Sequence, residues 1–132
     1  MSRDDTLPHA RLRDDGGSAT IVVVTLLGMM LVLTMGAADV ARVLSAASRA
    51  QTAADAAALA AAQGLAIPGE RVPADVAAEY AERNGGELQA CVCHPGTFVA
   101  AVTVRVPVGD LLLAGRGRSV VARARAIVDV PA

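Results

Sequence analysis

The chain has 132 residues, 54 % of them hydrophobic but only 2 % aromatic, and carries a net charge of −1. That balance excludes the basic footprint of a nucleic-acid binder, and no arginine cluster is interleaved with aromatics. Size leaves room for one small domain, and a core of Ala, Val and Leu buries little area per side chain. Such a domain is expected to pack along a membrane, its own long helix or a partner.

Between Asp15 and Asp39 no residue is charged: Gly16-Gly17-Ser18-Ala19-Thr20-Ile21 leads through Val22-Val23-Val24 and Met29-Met30-Leu31-Val32-Leu33 to Ala37-Ala38. As a helix this run extends about 34 Å, enough to cross a hydrocarbon core of about 30 Å. A cleaved secretory signal is the competing reading, with Arg3, Arg11 and Arg13 as its basic N-region and Gly36-Ala37-Ala38 before Asp39 as its small-residue stretch. The apolar core of such a signal is usually about 7 to 15 residues, shorter than this run, which favours a retained anchor. The expectation is a cytoplasmic tail over 1–17, a transmembrane helix over 18–38 and an extracytoplasmic C-terminal part. Arg42 and Arg49 follow the run closely, so the positive-inside bias is slight. Gly28 and Gly36 lie two GxxxG steps apart, but Val32 fills the middle step and leaves the helix-dimer motif incomplete.

From Asp39 to Gln63 there is neither Pro nor Gly, and Ala dominates. Ala is the best helix former, so the helix is expected to continue through 39–65, capped at Gly64 and stopped by Pro68-Gly69. Asp39, Arg42, Ser45, Arg49, Thr52 and Asp55 recur at helical spacing and read as one polar stripe. Gln51 and Asp55 are spaced for an i,i+4 hydrogen bond. The Ala-lined side, with Gln51, Ala54, Asp55 and Ala58 as its packing motif, lets another backbone come close. A mere stalk would not need it.

The stretch Arg49-Ala50-Gln51-Thr52-Ala53-Ala54-Asp55-Ala56-Ala57-Ala58-Leu59-Ala60, after a span that begins Gly17-Ser18-Ala19-Thr20, resembles the TadE/TadG-like proteins of tight-adherence (Flp) pilus systems. It looks most like the short actinobacterial TadE-like members, and the resemblance covers about residues 14–65. It implies a minor pilin-like protein held by its N-terminal helix, with prepilin-peptidase processing after Gly16 or Gly17. The fifth position after such a cut, a Glu in many type IV pilins, is Ile21 or Val22 here, and TadG-like members often lack that Glu too. The resemblance also implies a bridge between a helix Cys and a strand Cys, as short members often have; Ala77 and Ala78 stand at the helix positions that would suit it, so that bridge is not expected here.

Pro73 to Asn84 reads as a short helix with Pro in its first turn and a stop at Gly85-Gly86, and Val76 and Tyr80 are expected to face inward. Three strand-like runs follow: Glu87 to Cys93, Thr97 to Val108, and Ser119 to Val130. In the last, Arg123 and Arg125 alternate with Ala122, Ala124 and Ala126, as one wet sheet face requires. Gly115-Arg116-Gly117-Arg118 reads as a flexible loop. The expected fold is α+β: a long N-terminal transmembrane helix continuing as an Ala-rich helix, then a small α+β domain over 66–132. That domain holds a short second helix and a three-stranded antiparallel sheet, a layout that is pilin-like by analogy.

Cys91, Cys93 and His94 are the only clustered soft ligands, and the other histidine, His9, falls across the membrane from them in this topology. A structural zinc needs four ligands, so no metal is expected. An outside location favours a disulfide, either Cys91–Cys93 or between molecules, over free thiols. Cysteines two apart in a strand have Cα atoms about 6.5 to 7 Å apart, so a local bridge requires the chain to leave extended geometry. No catalytic set, phosphate loop or paired carboxylates stand out, and Asp110 and Asp129 read as ordinary surface acids.

These readings converge on a single-pass protein of the cell membrane, a pilin-like assembly component of a tight-adherence pilus or related secretion-like apparatus. Its expected partners are membrane lipid and the other membrane proteins of that apparatus, with no nucleic acid, small-molecule substrate, cofactor or enzymatic activity. The alternative is a membrane-tethered extracytoplasmic binding module that does not enter a fibre.

Overall fold

The computed structural model describes residues 16–67, 69 and 71–129. Residues 1–15 of the tail expected over 1–17, with Arg3, His9, Arg11 and Arg13, lie outside the described residues, as do Pro68 and the end of the third strand at Val130, while Gly16 and Gly17 already belong to the first helix. Helix α1 runs Gly16–Ala66, and the chain divides into two compact units, one ending at Thr34 and the other starting at Met35.

In the first unit every side chain from Gly17 to Thr34 is exposed, including Ile21, Leu26, Leu27, Met30, Leu31 and Leu33. Two of its hydroxyls ask little of water. The Thr25 hydroxyl donates to the Ile21 carbonyl at 2.8 Å, and the Thr34 hydroxyl donates to that of Met30 at 2.7 Å. This i−4 bond satisfies a hydroxyl without solvent. The helix is long and apolar enough here to cross a membrane.

In the second unit, the rest of α1 is joined by α2 (Pro73–Arg83) and by strands β1 (Glu87–Val92), β2 (Val99–Pro107) and β3 (Ser119–Ile127). The strands form one antiparallel sheet in the order β1-β2-β3. This is the expected α+β arrangement of long helix, short helix and three-stranded sheet. Alternation sets the faces. Ala100, Val102, Val104 and Val106 of β2 are buried, while on β3 Arg123 and Arg125 are exposed and Ala122, Ala124 and Ala126 half-buried. The register of β1 against β2 slips between Leu88 and Ala90. That bulge matters because residues three apart would otherwise point to opposite faces. With it, Leu88 and Cys91 both pack against the core.

The core itself is made of small side chains. Ala50, Ala53, Ala54, Ala57, Ala58 and Ala61 of α1 cluster with Ala77 and Ala81 of α2 and the valines of β2, and among the described residues Val104 is the largest fully buried side chain. Helix α2 ends in paired hydrogen bonds, Gly86 N to the Ala81 carbonyl and Gly85 N to that of Glu82, both 2.9 Å. Gly85 takes the positive φ of 75° that this cap needs. Gly86 is glycine for a different reason. A Cβ there would lie 2.5 Å from Val104 Cγ1 and 3.1 Å from the Ala53 Cβ, so the turn rests directly on α1 and β2.

Several boundaries differ from the sequence reading. Helix α1 passes through Gly64 to Ala66, because Ile67 N still donates to the Gln63 carbonyl at 3.0 Å and completes the last turn. Helix α2 stops one residue earlier than expected, at Arg83, and its inward positions are Ala77 and Ala81 rather than Val76 and Tyr80. Close packing on an alanine surface selects the small residues. Val76 is half-buried, and Tyr80 stays 38 % exposed with the Arg83 guanidinium 5.3 Å from its ring centre. All three strands are shorter than the runs that announced them.

Gly86→Ala should force this turn off α1 and lower stability by about 1 to 3 kcal/mol, the usual effect of overpacking a tight contact. Thermal unfolding followed by circular dichroism checks this, and an unchanged midpoint would contradict the close approach.

Candidate functional site

Asp39, the first residue of the polar stripe, is buried. It is 7 % exposed, and its two carboxylate oxygens each accept a backbone N–H from the β2–β3 loop, Oδ1 from Leu112 and Oδ2 from Leu113, both at 2.7 Å. Arg42 completes the arrangement. Its Nη1 donates to Asp39 Oδ1 at 3.4 Å and to the carbonyl of Asp110 at 3.3 Å. The Leu113 N–H holds the Asp39 carboxyl below the usual carboxylate range, against the opposing effect of burial and with help from the Leu112 and Ala114 amides and Arg42. Spacing along one helix could not reveal this, since the donors lie 73 and 74 residues away.

The loop that Asp39 grips is ordered by its own bonds as well. Val108 N donates to the Arg118 carbonyl at 2.9 Å and Leu111 N to that of Gly115 at 3.0 Å, while Gly109, Gly115 and Gly117 have positive φ. The stretch Gly115–Arg118, expected to be a flexible loop, therefore forms one side of a closed turn. Leu111 is buried beneath it, and Leu112 and Leu113 stand exposed at its tip. Asp110 is exposed and lies 3.5 Å from Arg116; Asp129 is exposed as well.

The motif residues of α1 divide between two sides. Ala54 and Ala58 are buried under the chain's own sheet and second helix, whereas Gln51 and Asp55 are exposed, with Gln51 Nε2 donating to Asp55 Oδ1 at 2.9 Å. The backbone that approaches the alanine side is thus one from this same chain. Val40, Leu44 and Leu59 remain exposed on the helix.

Cys91 and Cys93 are joined as a disulfide with Cα atoms 5.5 Å apart. Strand β1 ends at Val92, so Cys93 already sits outside extended geometry, and both residues pack against the core. His94 follows on the exposed turn, where the Thr97 hydroxyl donates to its carbonyl at 2.8 Å. Among the described residues no three His, Cys, Asp or Glu side chains gather as a metal site. Of the two glycines at the processing position implied by the resemblance, Gly16 is the first residue of α1, and Gly17 is exposed with open space around it. A second ionic cluster lies on α2, where Glu79 is paired with both Arg71 and Arg83; the Arg71 contact lowers the Glu79 carboxyl and raises the Arg71 guanidinium.

The arrangement defines a class: a chain with, among the described residues, one apolar helical segment of spanning length, whose Ala-faced continuation carries a small α+β domain. Comparison with known families agrees on the helix. Residues 17–64 match the model of the TadE/G-like family of Flp pilus assembly. No curated protein and no solved structure matches the chain.

Because the folded Asp39 carboxyl titrates below its unfolded range, the clamp contributes fully above that range and is lost as pH falls through the folded value. Wild-type protein should therefore lose stability below about pH 4, and Asp39→Asn should be less stable at neutral pH and less sensitive to acid. Melting midpoints across that range check the sign. The cysteine pair is checked by mass spectrometry after alkylation without reduction. Neither residue should be modified, and the protein should run as a monomer on a non-reducing gel.

Proposed function

We propose that this chain is a membrane-anchored, pilin-like structural component in the assembly of a tight-adherence (Flp) pilus or a related secretion-like apparatus. One coincidence carries the reading. The segment that matches the Flp pilus-assembly family, residues 17–64, comprises the apolar run and the Ala-faced continuation that supports the domain. In this reading residues 18–38 span the cell membrane once, the domain over 66–132 lies outside, and the protein works by packing against other membrane proteins of the apparatus rather than by catalysis. The uniform exposure of apolar side chains from Ile21 to Leu33 supports the anchor, because water would disfavour it and lipid would not.

A tethered binding module is the second reading, favoured by the outward sheet face where Val121 and Ile127 lie exposed beside Arg123 and Arg125. Deletion of the gene separates the two. Loss of surface pili, restored by the wild-type gene but not by one lacking the codons for 18–38, is the expected outcome; unaltered pili would favour the module. For topology, a Cys placed at Ala132 in a Cys91→Ser/Cys93→Ser background should react with a membrane-impermeant thiol reagent in intact cells. Protection until lysis would reverse the orientation.

A further inference from the structure

The geometry points to the tip of the β2–β3 loop as a second membrane contact, with Leu112 and Leu113 inserted into the lipid at the level where α1 leaves the bilayer. This rests on the anchor reading of residues 18–38. Asp39 is the first charged residue after the uncharged run, and it is the residue that grips the loop. Leu113 Cδ1 lies 3.8 Å from where a Cβ on Gly36 would stand, so the tip reaches back alongside the last turn of that run. If Ala38 marks the membrane boundary, the two leucines lie at its surface.

Their chemistry suits that depth. Leu112 and Leu113 are 55 % and 56 % exposed, adjacent, and at the apex of a turn that Leu111 closes onto Gly115. An apolar tip at a lipid boundary must not carry unsatisfied amides, and here the Asp39 carboxylate takes both. Just after the tip in the chain, Arg116, which lies 3.5 Å from Asp110, and Arg118 are exposed and offer charge to anionic headgroups, and Arg42 ties the loop to α1. A soluble protein partner would also cover leucines. The approach of Leu113 to Gly36, in the last turn of the uncharged run, and the two exposed arginines after the tip favour a lipid surface. With a second attachment point the domain is held against the bilayer rather than hanging from one helix.

The sequence has no Trp, so a single Trp reports its own surroundings. Full-length protein carrying Leu113→Trp is placed in phosphatidylcholine/phosphatidylglycerol vesicles containing brominated lipids, beside Leu27→Trp within the anchor and Leu59→Trp on the domain's helix. The expected result is blue-shifted emission and loss of intensity at positions 27 and 113. Position 113 should respond most to bromines near the headgroup end of the acyl chain, and position 59 should not respond. Quenching at 27 without quenching at 113 overturns the inference while leaving the anchor intact. A blue shift at 113 without quenching also overturns it, since protein rather than lipid would then cover the tip. Absence of quenching at 27 overturns the anchor and this contact together. Adding Asp39→Asn to Leu113→Trp should reduce the quenching while the helical signal persists; unchanged quenching would remove Asp39 as the positioning residue.

Discussion

The alanine side of α1 is the constraint on which the rest of the structure depends. From Ala46 to Ala62 the helix presents almost no side-chain bulk to the domain, so the β2 valines and the Gly86 turn can rest close to its backbone. Larger residues would push the sheet outward and open the core that Val104 fills. Close approach has a thermodynamic consequence. Alanine and valine bury little area each, so the hydrophobic gain per residue is small against the entropy of ordering the chain. The domain gains from being covalently continuous with its packing surface, because helix and sheet need not find one another from solution.

Small cores leave more of the specificity to polar contacts, and Asp39 shows how. A single carboxylate with two backbone donors fixes a long hairpin connection to the helix. Charge-assisted bonds of this kind are shorter and stronger than neutral ones. The glycines of the loop allow the tight path, and the carboxylate selects one path among those they allow. The disulfide between Cys91 and Cys93 acts at the opposite end of the sheet, where β1 gives way to the turn around Pro95 and Gly96.

Much of the fold was legible because it rests on local chemistry. An uncharged run followed by an alanine tract without Pro or Gly reads as one long helix, and alternation of Arg and Ala reads as a strand with one wet face. What escaped was set by partners far away in sequence. Asp39 fits an i,i+3 polar stripe by spacing, and nothing local shows that its acceptors will be filled from Leu112 and Leu113. Tyr80 looks like the natural inward anchor of α2, yet the flat alanine surface opposite admits Ala77 and Ala81 instead. The bulge at Gln89 breaks period-two counting in β1. For the motif on α1, the alanines could be read as a close-packing surface, but not that the close-packed backbone would be the chain's own.

Exchange of bulk between the two sides of α1 tests that claim most directly. The double variant Ala54→Leu/Ala58→Leu adds volume beneath the sheet, whereas Gln51→Leu/Asp55→Leu adds similar bulk on the exposed side. Denaturant unfolding should show the first destabilised by about 1 to 3 kcal/mol per site, and the second within about 0.5 kcal/mol of wild type per site. Equal effects from the two, or a stable Ala54→Leu/Ala58→Leu protein, would contradict the account and free the alanine side for another partner.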